Sequence, residues 1–357
     1  MTAFLDIDLT AVVANWQLLK QLNNTGETAA VVKANAYGLG AAQVAQALAA
    51  AGCKTFFTAH LSEAVALRPL LPKARILALN GLAPHAAADF VAHDIIPVLG
   101  SLSDIALWRA EARNLGRVLP AFLHLETGMY RLALDAQDQA RLAEDKALLA
   151  GVQIETVITH LINAEQPEDV RNQHQLEVFL AAASCFAGAR RSIANSPGSF
   201  LGPAFQLGLT RPGAALYGLN TSPIQPRKMH QVVRLCAPIL QIHDISPGTS
   251  VGYGGLWTAQ RPSRIATVGV GYGDGLLRSL TNQGTAYFDD MPVPLVGRVS
   301  MDLATFDVTD VPAQPGSLLV LLDARHGADE LGREAGSIGY EILTSLGRRY
   351  QRRYIGT

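Results

Sequence analysis

The feature that most constrains this chain is a rhythm. From residue 9 to about 220, short apolar runs alternate with stretches of helical periodicity, which is the pattern of repeated βα units around a parallel sheet. The runs are TAAVV (28–32), TFFTAH (55–60), RILALNG (75–81), DIIPVLG (94–100), LPAFLHLE (119–126), IETVITHL (154–161), RRSIANS (190–196) and a segment around LTRPGAALYG (209–218). Eight runs at helix-sized intervals fit a (β/α)8 TIM barrel better than a six-stranded doubly wound sheet, and no GxGxxG motif supports the latter. The first of them, TAAVV, has the composition of a strand covered on both faces. Between them, Thr10 is a helix N-cap candidate, Val12, Trp16, Leu19 and Leu22 recur at helical spacing, and Asn23-Asn24 ends that helix. In the next unit Val44, Leu48 and Ala51 share a face and Gly52 suits the position just past a helix end.

Beyond TSPIQPRK (221–228), a polar, proline-containing linker, strand-like runs are broken by Gly, Pro and Asp, with little helical pattern before residue 334. The expected organisation is a barrel over 1–225, whose first few residues can pair with the second domain, and a mostly β domain over 226–357. A chain of 357 residues, 49% hydrophobic, can bury one large core and a smaller one. With 29 basic and 30 acidic residues, charge argues for neither nucleic acid nor a membrane surface as partner, so a small molecule is expected. Cys53, Cys185 and Cys236 are far apart and form no CxxC, so no disulfide framework or metal site is expected. The acidic N-terminus lacks the pattern of a signal peptide and Leu318 to Leu322 is too short to span a bilayer, which places the expectation in the cytoplasm.

In a β/α barrel, chemistry sits where strands end and loops begin. The polar residues there are Lys33 and Tyr37, Arg131, His160, Asn195 with Ser196, and Arg211 with Gly213. A lysine among several anion-binding donors suits a cofactor with an aldehyde and a phosphate, since the amine can form a Schiff base while hydroxyls and backbone N–H groups hold the phosphate. Pyridoxal phosphate is the natural candidate. Singly, each residue has a plainer reading: Lys33 a snorkelling strand-end lysine, His160 a core histidine, Arg131 and Arg211 ordinary ion-pairing arginines, Tyr253 an aromatic plug between glycines, Met301 core filler. The glycines of GYGDG (271–275) are weak signals alone, and the Arg348 to Arg353 cluster reads as a solvated basic edge.

Taken together, VVKANAYGLG (31–40), ETGMYRL (126–132), ANS (194–196), RPGAALYG (211–218), VGYGG (251–255), GYGDG (271–275) and GRVSMD (297–302) resemble, in order, the motifs of the alanine racemase family. The resemblance spans nearly the whole chain. It implies a pyridoxal phosphate enzyme interconverting L- and D-alanine, in which Lys33 carries the cofactor and acts as one base while Tyr253, from the second subunit of a head-to-tail homodimer, is the other. Two bases are the minimum for removing a proton from one face and returning one to the opposite face. By the same resemblance, Tyr37, Ser196, Gly213 and Ala214 hold the phosphate, Arg211 faces the pyridine nitrogen, His160 and Asn195 belong to the cofactor site, and Tyr350 is a further candidate. Arg131, Met301 and Asp302 fall on the substrate side. Two departures stand out. Leu39 replaces a common histidine, and His124 occupies the position of a lysine whose carbamate holds the arginine; a bound anion or a carboxylate such as Glu126 is expected to fix Arg131 instead. Competing readings are a racemase of broader specificity for serine or lysine, a non-enzymatic barrel of pyridoxal phosphate homeostasis, which lacks the β domain, and a barrel decarboxylase, disfavoured by Arg211. The product D-alanine can serve peptidoglycan or be degraded.

Overall fold

A computed structural model describes residues 2–23 and 26–356. Seven parallel strands run in chain order through Ala30–Val31, Thr55–Thr58, Arg75–Ala78, Ile96–Leu99, Leu119–His124, Val152–Ile158 and Arg190–Ser192. The eighth, Leu209–Thr210, pairs in parallel with Glu27–Thr28, the leading part of the first. On that side Ala29 and Val31 donate to the carbonyls of Thr210 and Pro212, and on the other Gly208 and Arg211 donate to those of Arg191 and Ala194. These bonds close the barrel. Every residue of Thr55–Thr58 and Ile96–Leu99 is buried, which is why the runs lack alternation. Phe57 and Phe122, from the second and fifth strands, meet edge-on across the interior with ring centroids 6.0 Å apart.

The first helix, Leu9–Leu22, buries Val12, Trp16 and Leu19 as its periodicity predicts. Its cap differs from expectation. The preceding strand runs straight into the helix, so Asp8 takes the N-cap and its carboxylate accepts from the Ala11 N–H, where an anion also complements the helix dipole. Thr10, inside the helix, instead donates to the Gly356 carbonyl. At the other end Asn23 is the C-cap, while Asn24 lies outside the described residues. Gly52, at φ +98°, follows the helix Ala41–Ala50 as expected.

The second body of the molecule is an eight-stranded sheet built around Val233–Ile245. That strand pairs antiparallel with Phe4–Asp8, Leu318–Leu322 and Ser263–Val268, and the chain's last strand, Gln351–Ile355, lies parallel to Phe4–Asp8. Short helices at Ala328–Glu334 and Gly339–Ser345 follow. The first of these has too few turns for periodicity to announce it; its start is held by Glu330, whose carboxylate accepts from the Gly327 N–H. No helix among the described residues is long and apolar enough to cross a membrane.

The run 348–353 departs from a solvated edge. Arg352 donates to the carbonyls of Gly38, Leu346 and Gly347, Arg353 pairs with Asp6, and Arg349 bonds Asp274 and Asp302. These guanidiniums tie the C-terminal segment to the barrel and to neighbouring loops because a planar fork of N–H donors suits bare carbonyls and carboxylates.

Candidate active site

The first barrel strand ends at Val31, and Lys33 opens a turn of unusual hand. Ala34, Asn35, Ala36 and Tyr37 all have φ between +52° and +56°, a left-handed turn without a glycine until Gly38. Each such residue costs roughly 1–2 kcal/mol. The surroundings over-determine it: Glu63 accepts from the Ala34 N–H at 2.7 Å, Asn35 Oδ1 accepts from the Ala41 N–H at 2.9 Å, and Arg352 grips the Gly38 carbonyl. Strain of this kind collects where a side chain must be aimed. Here it aims Lys33 into a cavity of about 810 Å³ at the C-terminal ends of the strands. Leu39, just beyond, is fully buried in the core.

Lys33, Tyr37, His124, Arg131, His160, Asn195, Ser196, Arg211, Gly213 and Ala214 all line this one cavity. Burial lowers the Lys33 pKa, Arg131 lowers it further, and Glu63 opposes them. The Arg211 guanidinium is buried and donates to Ser192 Oγ and, at 2.6 Å, to the Thr159 carbonyl; burial lowers its pKa to about 10, so it remains a cation at neutral pH. Burial, Arg211 and Arg131 together hold His124 down to about 3, and the same causes in the same order hold His160 well below the usual histidine range. Both imidazoles are therefore neutral. Among the described residues, no ion pair engages Lys33, Arg131 or Arg211. Three cations gathered on one cavity, with Arg211 buried and no carboxylate in ion-pair contact with any of them, suit an anionic ligand.

At one wall Ser196 Oγ accepts from the N–H groups of Gly213 (2.9 Å) and Ala215 (3.2 Å). A Cβ on Gly213 would overlap the Tyr37 hydroxyl, so only glycine lets that phenol lie against the backbone. Burial raises the Tyr37 pKa to about 12, keeping it a protonated donor. Two hydroxyls and the start of the short 3-10 turn Ala214–Tyr217 thus converge on one point, a cradle of the kind that phosphate occupies. Lysine, cradle and cationic well fit pyridoxal phosphate.

Other residues fall elsewhere. Tyr350 is buried outside the cavity with its hydroxyl unpartnered. The tyrosine of this segment that lines the cavity is Tyr340, ring centroid 6.3 Å from that of Tyr37, with its hydroxyl 3.4 Å from Glu165 at the cavity wall. Tyr253, 71% exposed, Met301, 56% exposed, and Asp302 stand on the surface of the second body, outside the cavity lining. Glu126 does not pair with Arg131. Its carboxylate accepts from the N–H groups of Gly128, Met129 (2.6 Å) and Tyr130 (2.8 Å), so it shapes the backbone turn that carries Arg131. Glu63 and Tyr340 escape sequence reasoning: neither closes a strand, and only the folded chain brings them to Lys33 and Tyr37.

Comparison with known proteins gives this arrangement its context. The family profile of the alanine racemase N-terminal domain matches residues 7–221, and that of the alanine racemase C-terminal domain matches residues 232–354. The alanine racemase of Acidiphilium cryptum is 53% identical over 349 residues, covering 98% of this chain and 97% of the relative. A catabolic alanine racemase of Agrobacterium fabrum is 45% identical over 355 residues, covering 98% and 92%. The crystal structure of alanine racemase from Bartonella henselae with covalently bound pyridoxal phosphate superposes with a TM-score of 0.95 at 40% identity, covering 99% of this chain and all of that one. A barrel with its lysine at the first strand end, a β domain behind it and matches over both halves leave one assignment: the chain belongs to the alanine racemase family.

Proposed function

We propose that this protein interconverts L- and D-alanine with pyridoxal 5'-phosphate, in a site completed by Tyr253 of a second copy. The observation that carries the reading is the convergence on one cavity of Lys33, Arg131 and the buried Arg211, with no carboxylate in ion-pair contact with them among the described residues, beside the cradle of Tyr37, Ser196 and Gly213. Pyridoxal phosphate, carried by Lys33 until a substrate amino group displaces that amine, would withdraw electron density from the α-carbon of the amino acid and so acidify its C–H bond, leaving the Lys33 amine free. Tyr37 and Ser196 donate to the phosphate together with the backbone at Gly213 and Ala214, and Tyr340 closes that side. Arg211 can only donate, so beside the pyridine nitrogen it would leave that atom unprotonated and keep the electron sink shallow, which would disfavour side reactions. Arg131 binds the substrate carboxylate. On one face Lys33 would take the α-proton as an amine or return one as an ammonium, and on the other Tyr253 would take it as a phenolate or return one as a phenol.

Two uncovered apolar surfaces support a shared site. Leu132, Ile162 and Ile338 are exposed on the cavity lining, and Tyr253, Leu256, Met301 and Leu303 are exposed on the β body. Head-to-tail pairing of two copies would bury both and bring Tyr253 and Met301 over the cavity. The reaction belongs in the cytoplasm, where D-alanine enters peptidoglycan precursors or is consumed.

The test is a visible spectrum of the purified protein followed by a chiral assay across alanine, serine and lysine. Alanine is expected to turn over fastest. Lys33→Ala should lose both the visible absorbance and activity, whereas Tyr253→Ala should keep the absorbance and lose most L-to-D turnover. Wild-type turnover in Tyr253→Ala would refute the second base.

A further inference from the structure

The motif GYGDG, a weak signal as spelled, packs against the turn that carries Met301. Tyr272 and Gly273 donate to the carbonyls of Ser300 and Met301 at 3.0 and 2.8 Å. A Cβ on Gly271 would overlap the 300–301 backbone, and one on Gly273 would stand 2.6 Å from Arg349 Nη2 and 3.0 Å from the Met301 carbonyl. The glycines are there because two segments approach them too closely for side chains. Arg349 locks this contact from behind. Its Nε donates to Asp274 Oδ1 at 2.6 Å, Nη1 to Asp302 Oδ1 at 2.6 Å, and Nη2 to the Met301 carbonyl at 3.4 Å. Asp274 is itself fixed: it is buried, its Oδ2 accepts from the Gly271 N–H, and its carbonyl accepts from Gly347. One guanidinium therefore bridges an immobile carboxylate and an exposed turn, and Met301 projects from that turn into solvent.

We propose that Arg349 is a positioning residue that holds the Met301–Asp302 turn in the conformation it presents to the substrate pocket of a second copy. The inference rests on the shared-site reading above. Arg349 touches no reacting atom; its effect passes through the turn into another subunit's site.

Arg349→Ala is expected to raise KM for alanine roughly fivefold, the scale of losing a partly exposed ion-pair bridge, with kcat and visible absorbance little changed. Arg349→Lys, a point charge without the fork, should recover part of the loss. Gly273→Ala should reproduce the defect by placing a methyl where Nη2 lies, and together with Arg349→Lys it carries the test should Arg349→Ala not fold. The decisive measurement uses mixed dimers of differently tagged chains. In a dimer of one Lys33→Ala chain and one Arg349→Ala chain, the single working site has its own Lys33 and receives an intact Arg349 turn from the other chain, so KM returns to the wild-type value. A KM that stays raised there means that Arg349 acts within its own subunit, and an unchanged KM in the Arg349→Ala homodimer removes any role; either result overturns the proposal. A parallel mixed dimer of Lys33→Ala and Tyr253→Ala chains separates the two levels. If it regains turnover while the Arg349 mixture does not regain KM, only the positioning role falls; if it stays inactive, the shared site falls and the proposal with it.

Discussion

Gly213→Ala is a sharp probe of the phosphate cradle because the added methyl meets the Tyr37 phenol directly. Gly213 has φ −127° and ψ −79°, outside the α and β regions, so alanine meets a backbone cost there, and in addition its Cβ would overlap the Tyr37 hydroxyl and lie 3.1 and 3.3 Å from two ring carbons. Tyr37 cannot simply swing away. It sits in the left-handed turn after Lys33, its ring centroid is 4.7 Å from that of Tyr217, and Tyr340 flanks it on the cavity side. Forcing one extra carbon into such a site costs about 1–3 kcal/mol. If displacement of the phenol is expressed in cofactor binding, affinity for pyridoxal phosphate falls by a factor of roughly 5 to 150. The assay is titration of the apo-protein with cofactor, followed at the visible absorbance of the bound form. Tyr37→Phe supplies the control, because it deletes the overlapping oxygen at the expense of one donor. The double variant should bind more tightly than the product of the single effects predicts, a coupling of opposite sign to ordinary additivity. Wild-type affinity in Gly213→Ala, or strictly additive effects in the cycle, would refute the argument that the glycine exists to admit the phenol.

Two further expectations follow from the buried groups around Arg131. The folded pKa of His124, about 3, lies below its ordinary value of 6.5, so between those values the unfolded chain binds the extra proton and stability is lost as pH falls. His124→Gln should therefore flatten the decline in unfolding free energy between pH 6 and 4.5 by up to about 1.4 kcal/mol per pH unit; urea titrations that show an unchanged slope would mean the imidazole is not held neutral. Glu126→Gln removes the charge that gathers three N–H groups, so the turn bearing Arg131 should loosen, with KM for alanine rising several-fold while the cofactor absorbance stays; steady-state kinetics with matched spectra checks both.

What could be read from the residues and what could not divides along sequence distance. Barrel strands such as Thr55–Thr58 and Ile96–Leu99 are visible because burial on both faces writes itself as an unbroken apolar run, and the strand-end rule picks out cavity-lining residues from Lys33 to Gly213. The left-handed turn at 34–37 is invisible, since Ala34, Asn35, Ala36 and Tyr37 carry no glycine signature and the conformation is imposed by Glu63 and Arg352 from far along the chain. Tyr350 was the natural tyrosine to name near the C-terminus, but Tyr340 reaches the cavity, because which face of Gly339–Ser345 meets the barrel is decided by tertiary packing. Glu126 illustrates the same limit at short range: its charge is evident, and only the backbone path shows that it is spent on amides rather than on Arg131.

The pairing of Phe4–Asp8 with both Val233–Ile245 and Gln351–Ile355 has a consequence for biogenesis. A ribosome that has delivered the whole barrel has yet to deliver Gln351–Ile355, so the edge of Phe4–Asp8 that it covers waits unsatisfied until that strand emerges. Ordering is thus deferred well past synthesis of the barrel, and a product cut short before Gln351–Ile355 would leave an open strand edge, a ready template for aggregation rather than a smaller working enzyme.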